Sequence, residues 1–150
     1  LDWTYDGIEM IPADLPPFLD SRDLSWAGFS LTMPLKESVQ SILASIDDLA
    51  VRTGSVNTVC RVEAGWHGSN TDVFGISQSL REAGLTSARS ARLLGAGATA
   101  RSAVAAMADL GVNSLVVCAR RSEQAKEIAD LYEMNLAHAM TIKKMQESDK

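Results

Sequence analysis

One stretch in the second half of the chain leaves little freedom in how it folds. Ala91 to Leu94 is a short apolar run, Gly95-Ala96-Gly97 interrupts it, and Thr99 to Leu110 has helical spacing closed by Gly111. A second apolar run follows from Asn113 to Ala119. Strand, turn, helix and strand at this spacing make a βαβ unit, which nearly always crosses over right-handedly within a parallel sheet.

The turn carries chemistry of its own. Leu94-Gly95-Ala96-Gly97-Ala98-Thr99-Ala100 follows the G-x-G-x-x-G/A form. The first glycine permits the tight turn, the second lets the backbone approach a pyrophosphate, and the third position needs a residue as small as Ala100 for helix–strand packing. A phosphate would lie on the free N–H groups at the positive end of the helix. A bare tight turn is the bland alternative; the βαβ context favours a dinucleotide held along Gly95, Ala96, Gly97, Ala98, Thr99 and Ala100. Where NAD sites place Asp or Glu for the ribose 2′-hydroxyl, this chain has Ala119-Arg120-Arg121-Ser122. Guanidinium groups bind a 2′-phosphate bidentately, so Arg120 and Arg121 point to NADP; otherwise they form a solvated face.

At 150 residues, the chain has room for one domain, or for one small domain and part of another. A net charge of -5 argues against a nucleic-acid backbone as partner. No apolar run approaches the roughly 20 residues of a membrane span, and neither a membrane span nor a signal peptide is expected from these residues. Cys60 and Cys118 each lie in an apolar run and read as buried thiols in a reducing cytoplasm. His67 and His138 are far apart and no CxxC occurs, so no metal site is expected.

Loose alternation over Asp2 to Met10 predicts a strand, and Pro12, Pro16 and Pro17 punctuate a short helix or loop ending near Asp23. Trp26 to Met33 is β-prone until Pro34 stops it. Val39, Ile42, Leu43, Ile46 and Leu49 predict one helix from Glu37 to Val51. Val56 to Val62 and the run opened by Trp66 predict a hairpin turning at Glu63-Ala64-Gly65. A helix is expected from Asp72 to Ala83, burying Phe74, Ile76 and Leu80, with Gly84 at its end. Ser87 to Ser90 reads as a linker, a further helix starts at Ser122, and Leu136 to Ile142 is open between strand and helix.

Two other segments supply a proton-transfer pair. Thr32-Met33-Pro34-Leu35-Lys36 puts an amine where a strand stops, and Gly68-Ser69-Asn70-Thr71-Asp72 puts a carboxylate where a helix begins. Taken singly, Lys36 reads as a surface amine and Asp72 as a helix cap. Beside a dinucleotide site, a lysine and an aspartate can move a proton while a hydride moves.

These two segments, with Gly54-Ser55-Val56-Asn57-Thr58 and Gly95-Ala96-Gly97-Ala98-Thr99-Ala100-Arg101, occur in the order seen in shikimate dehydrogenases, and the chain resembles that family from about Leu1 to Tyr132. The resemblance implies an α/β architecture: a substrate-binding α/β domain with a mixed sheet over 1–86, then a Rossmann-like NADP-binding domain over 87–150, both incomplete. It implies NADPH-dependent, reversible reduction of 3-dehydroshikimate to shikimate in aromatic amino-acid biosynthesis, by a cytoplasmic monomer or homodimer. Lys36 matches the family's catalytic lysine and Asp72 its partner. Thr32 and Asn57, with Lys36 and Asp72, match substrate ligands, and Arg120 matches the arginine that meets the 2′-phosphate. The family's N-terminal Ser-x-Ser, which binds the substrate carboxylate, and the second half of its nucleotide domain have no counterpart here. The family's usual glycine at 98 is Ala98, and its usual asparagine at 119 is Ala119. A quinate/shikimate dehydrogenase using NAD, and a non-catalytic nucleotide-binding fragment, are the competing readings.

Overall fold

The computed structural model describes residues 2–136. Pro12–Asp14 forms a 3-10 turn that leads into helix α1, Leu15–Asp20. The first sheet holds β1 (Gly28–Ser30), β2 (Ser45–Ile46), β3 (Thr58–Val62) and β4 (Gly65–Ser69) in the order β1-β3-β4-β2. It is mixed: β1 and β4 run antiparallel to β3, while β2 runs parallel to β4. Short helices α2 (Leu35–Ser38) and α3 (Asp48–Thr53) flank β2, and α4 (Asp72–Glu82) follows β4. A parallel pair, β5 (Ser90–Leu94) and β6 (Ser114–Cys118), encloses α5 (Ala98–Asp109) in sequence, and α6 (Ser122–Leu136) comes last. The expected βαβ unit is therefore present, with Leu94 level with Cys118 where both strands end.

Each sheet has its own apolar core. Leu15, Leu19, Val39, Val56, Val59 and Trp66 pack under the mixed sheet, joined by a chain of ring contacts through Phe18, Trp26 and Phe29. Leu93, Val104, Leu115, Val117, Ile128 and Tyr132 form the second. Between the two cores, α4 lies against α5. Among the described residues, no helix is long and apolar enough to cross a membrane.

Several expectations give way. Asp2 to Met10 forms no strand, and Trp3 and Tyr5 stay 71% and 81% exposed, because alternation without a partner strand or a buried face cannot fix a strand. The strand expected over Trp26 to Met33 shortens to β1, since only three residues pair with β3 before Leu31 donates its last bond to the Asn57 carbonyl. The single helix expected from Glu37 to Val51 is divided into α2, a 3-10 turn over Val39–Ile42, β2 and α3. Leu43 turns extended, Ala44 donates to the Trp66 carbonyl, and Asp47 caps α3 by accepting the Ala50 N–H. The same apolar residues still reach the core, so their spacing suited either arrangement. On α4 the buried residues are Val73 and Ser77, whereas Phe74 is 68% exposed: α5 packs against a face of small side chains. Cys60 is exposed and Cys118 half-buried, because Cys60 alternates with Val59 onto the face of β3 away from the core. Leu136 ends α6 as helix; the rest of the segment expected to Ile142 lies outside the described residues, as does His138.

Candidate functional site

Lys36 is placed by its backbone before its side chain acts. Leu35 donates to the Thr32 carbonyl and Val56 donates to that of Lys36, both at 2.8 Å, which moors the first turn of α2 beside the strand leading into β3. From there the Lys36 ammonium reaches across to Asp72 at the start of α4, with Nζ 2.6 Å from Oδ2. The lysine side chain is 12% exposed and the aspartate's 24%. The other oxygen of Asp72, Oδ1, accepts from Asn57 Nδ2 at 2.6 Å. Asn57 Oδ1 in turn accepts the Thr71 N–H at 2.9 Å and the Thr58 hydroxyl at 3.0 Å. Three residues picked from separate segments thus form one hydrogen-bonded row, Lys36–Asp72–Asn57.

Lys36 and Thr32 form one wall of a cleft of about 500 Å³. The opposite wall is the glycine loop, with Gly95, Gly97, Ala98, Thr99 and Ala100 along it. Ala96 sits in the loop half-buried, while Asn57 and Asp72 stand behind Lys36 and do not line this space. Gly95 has φ 108°, a backbone region closed to most side chains. A Cβ built on Gly95 or Gly97 would meet nothing within 4 Å, so the loop presents open backbone on this side. No side chain caps α5; the Ala100 N–H donates to the Gly97 carbonyl at 2.9 Å, so a ligand would meet the earlier amides, those of Ala98 and Thr99. Ala100 is 9% exposed and belongs to the second core, as its packing role requires. These residues suit a pyrophosphate.

The Gly95 N–H donates to the Cys118 carbonyl at 2.8 Å, which fastens the loop to the end of β6. Arg120 and Arg121 lie just beyond, both exposed, with Arg121 Nε donating to Gln124 at 3.1 Å. Both guanidinium groups are thus carried at the same end of the parallel pair as the glycine loop.

Sequence reasoning missed the groups that join the two halves. Arg101 lies between Glu127, 2.8 Å from Nη2, and Glu37, 3.5 Å from Nε. Asn70 and Ser102 meet in a buried hydrogen-bond network. Asparagine two residues before a helix start is a capping signal; nothing in sequence marks a serine inside a helix as its partner.

Comparison with known proteins gives the geometry its context. A family model described as the shikimate dehydrogenase substrate binding domain matches residues 1–59, and one described as shikimate / quinate 5-dehydrogenase matches residues 78–149. The shikimate dehydrogenase (NADP(+)) of Anaeromyxobacter sp. (strain Fw109-5) is 37% identical over 130 residues, which is 86% of this chain and 46% of that protein. The crystal structure of Mycobacterium tuberculosis shikimate dehydrogenase superposes with a TM-score of 0.87 at 33% identity, over 98% of this chain and 54% of its own. That of the Thermus thermophilus enzyme in complex with NADP(H) and shikimate gives 0.72 at 30% identity, over 85% and 47%. The chain spans about half the length of the relatives it matches. Two models of one enzyme family, matched in order along the sequence, agree with both fold and relatives: the chain belongs to the shikimate dehydrogenase family.

Proposed function

We propose that this chain carries the proton-transfer pair and the cofactor loop of an NADP-dependent shikimate dehydrogenase, which reduces 3-dehydroshikimate reversibly to shikimate. Residues 1–86 would serve the substrate and residues 87–150 the nucleotide. The observation that carries this reading is the 2.6 Å contact between Lys36 and Asp72 at a cleft whose far wall is the glycine loop.

When bound, NADPH supplies the hydride that the ketone carbon accepts. Lys36 gives its proton to the carbonyl oxygen, turning C=O into CH–OH, and regains one from solvent afterwards. Asp72 holds the ammonium in line and balances its charge when the substrate excludes water. Asn57 keeps the carboxylate from swinging away, since it occupies the second oxygen. Thr32, on the cleft wall, offers its hydroxyl to a substrate hydroxyl. Gly95 to Ala100 receive the pyrophosphate, and Arg120 with Arg121 receives the 2′-phosphate. The names of relatives as NADP(+) enzymes support that choice over NAD.

The test is NADPH oxidation with 3-dehydroshikimate, run beside NADH and beside quinate oxidation with NAD. Turnover should favour NADPH with 3-dehydroshikimate, and Lys36→Ala should cut kcat by about 10²–10⁴-fold, the usual contribution of a positioned acid. A Lys36→Ala chain that turns over like wild type would remove the acid role. NADPH binding without any turnover would favour a nucleotide-binding fragment.

A further inference from the structure

We propose that Asn70 is a positioning residue for this reaction and that Ser102, on the cofactor-side helix α5, holds it in place. The inference rests on the roles given above to Lys36 and Asp72. Asn70 follows the last residue of β4, two residues before Asp72, and is 4% exposed. Its Nδ2 faces three acceptors: Thr53 Oγ1 at 2.9 Å, the Ser55 carbonyl at 3.0 Å and Ser102 Oγ at 3.0 Å. Its Oδ1 accepts the N–H groups of Asp72 at 3.0 Å and Val73 at 3.4 Å. Two backbone donors on one side and a carbonyl on the other fix which end of the carboxamide points where.

One buried side chain therefore ties three elements together. Thr53 closes α3, Asp72 and Val73 open α4, and Ser102 lies just past the glycine loop in α5. Thr53, Ser55 and Ser102 are each 1% exposed or less. Apolar contacts between two halves can slide, whereas directional bonds in a dry site admit one arrangement. Asn70 thereby hands the position of α5 to the backbone of Asp72, whose carboxylate holds Lys36.

A capping role alone does not account for asparagine here. Capping uses only Oδ1, and Ser, Thr or Asp would supply it. The Nδ2 bond to the Ser55 carbonyl requires a carboxamide, because a carboxylate would face that oxygen and a hydroxyl lacks the reach. The Ser102 hydroxyl accepts from Nδ2 and also lies 3.4 Å from Oδ1, to which it can donate.

Two variants of the full chain test this: Ser102→Ala, which removes one hydroxyl, and Asn70→Ser, which keeps a capping oxygen. Amide hydrogen exchange and steady-state kinetics with NADPH and 3-dehydroshikimate are measured for each. In both, exchange at Asp72 and Val73 should accelerate about tenfold, while amides of β5 and β6 change less than about twofold, the range one lost hydrogen bond gives. With wild-type turnover in hand, kcat should fall about tenfold with KM held within about twofold, the mark of an interaction lost in the transition state. Unchanged exchange at Asp72 and Val73 overturns the proposal. So does equal acceleration across both halves, which marks loss of stability alone, or an unchanged kcat in an active chain. If wild type shows no turnover, only the reaction assignment falls, and the exchange pattern decides on Asn70 by itself.

Discussion

Lys36 keeps a charged group in a place where water reaches little of it, and Asp72 is the reason it can stay there. Asp72→Asn preserves shape and removes the balancing charge, leaving a shielded ammonium with a weaker acceptor. Stability to urea should drop by about 1–3 kcal/mol, the cost of a lost charged hydrogen bond. Arg120 poses the opposite case, an exposed group with nothing to stabilise in the protein itself. Arg120→Ala should leave stability alone and weaken NADPH binding by about 10–100-fold, the worth of a charge-assisted phosphate contact. NADH binding, measured by titration, should not change; an equal loss for both nucleotides would take the 2′-phosphate away from Arg120. At this scale the sequence was readable where a residue type and a local break coincided, as at Lys36 after Pro34 and Asp72 at a helix start. Asn70 and Ser102 were not, because their meaning comes from a contact 32 positions apart.

Elements show where local pattern and tertiary pairing disagree. Helices α4 and α5 and the hairpin β3–β4 formed where their sequence predicted, since each satisfies its backbone locally, although α4 buries Val73 and Ser77 and leaves Phe74 exposed. The stretch from Leu35 to Thr53 did not, because β4 offers Ala44 and Asp47 hydrogen bonds that a continuous helix would forgo. Edge strand β1 is short and closely fitted: a Cβ on Gly28 would collide with the Val59 carbonyl. Gly28→Ala should therefore cost about 1–3 kcal/mol, as overpacking typically does, seen as a lowered Tm. Helix α6 carries Tyr132, fully buried, whose hydroxyl donates to the Val112 carbonyl at 2.5 Å. Burial raises its pKa above the ordinary 10.0 by disfavouring the phenolate. The folded state thus binds the proton more tightly than the unfolded state. That stability is complete below about pH 10 and is lost as pH climbs through the folded value. Tyr132→Phe should flatten this alkaline limb in urea titrations between neutral and high pH; an unchanged limb would assign it to other groups.

At the scale of the molecule, the two apolar cores share no residue, and polar ties link the halves. Trp3, Trp26 and Trp66 all precede residue 67, so tryptophan fluorescence reports on the mixed-sheet half alone. Among the described residues, about half of the α-helical positions lie in α5 and α6 of the second half, which therefore weighs heavily in the helix signal by circular dichroism. The two probes should give separate urea midpoints, and NADPH should move the second more than the first. Coincident curves would mean that the ties make one cooperative unit. Those ties also impose an arithmetic on the chain. Arg101 and Ser102 are neighbours on α5, and their side chains reach toward Glu37, beside Lys36, and Asn70, near Asp72. Each residue added to a helix rotates the residues after it by about 100°. Substitutions between Gly97 and Arg101 leave both hooks in phase, but inserting or deleting one residue turns them away from their partners. Beyond the glycine that the Gly95 backbone requires and the small residue that Ala100 supplies, the count of residues from loop to hook is itself part of the site.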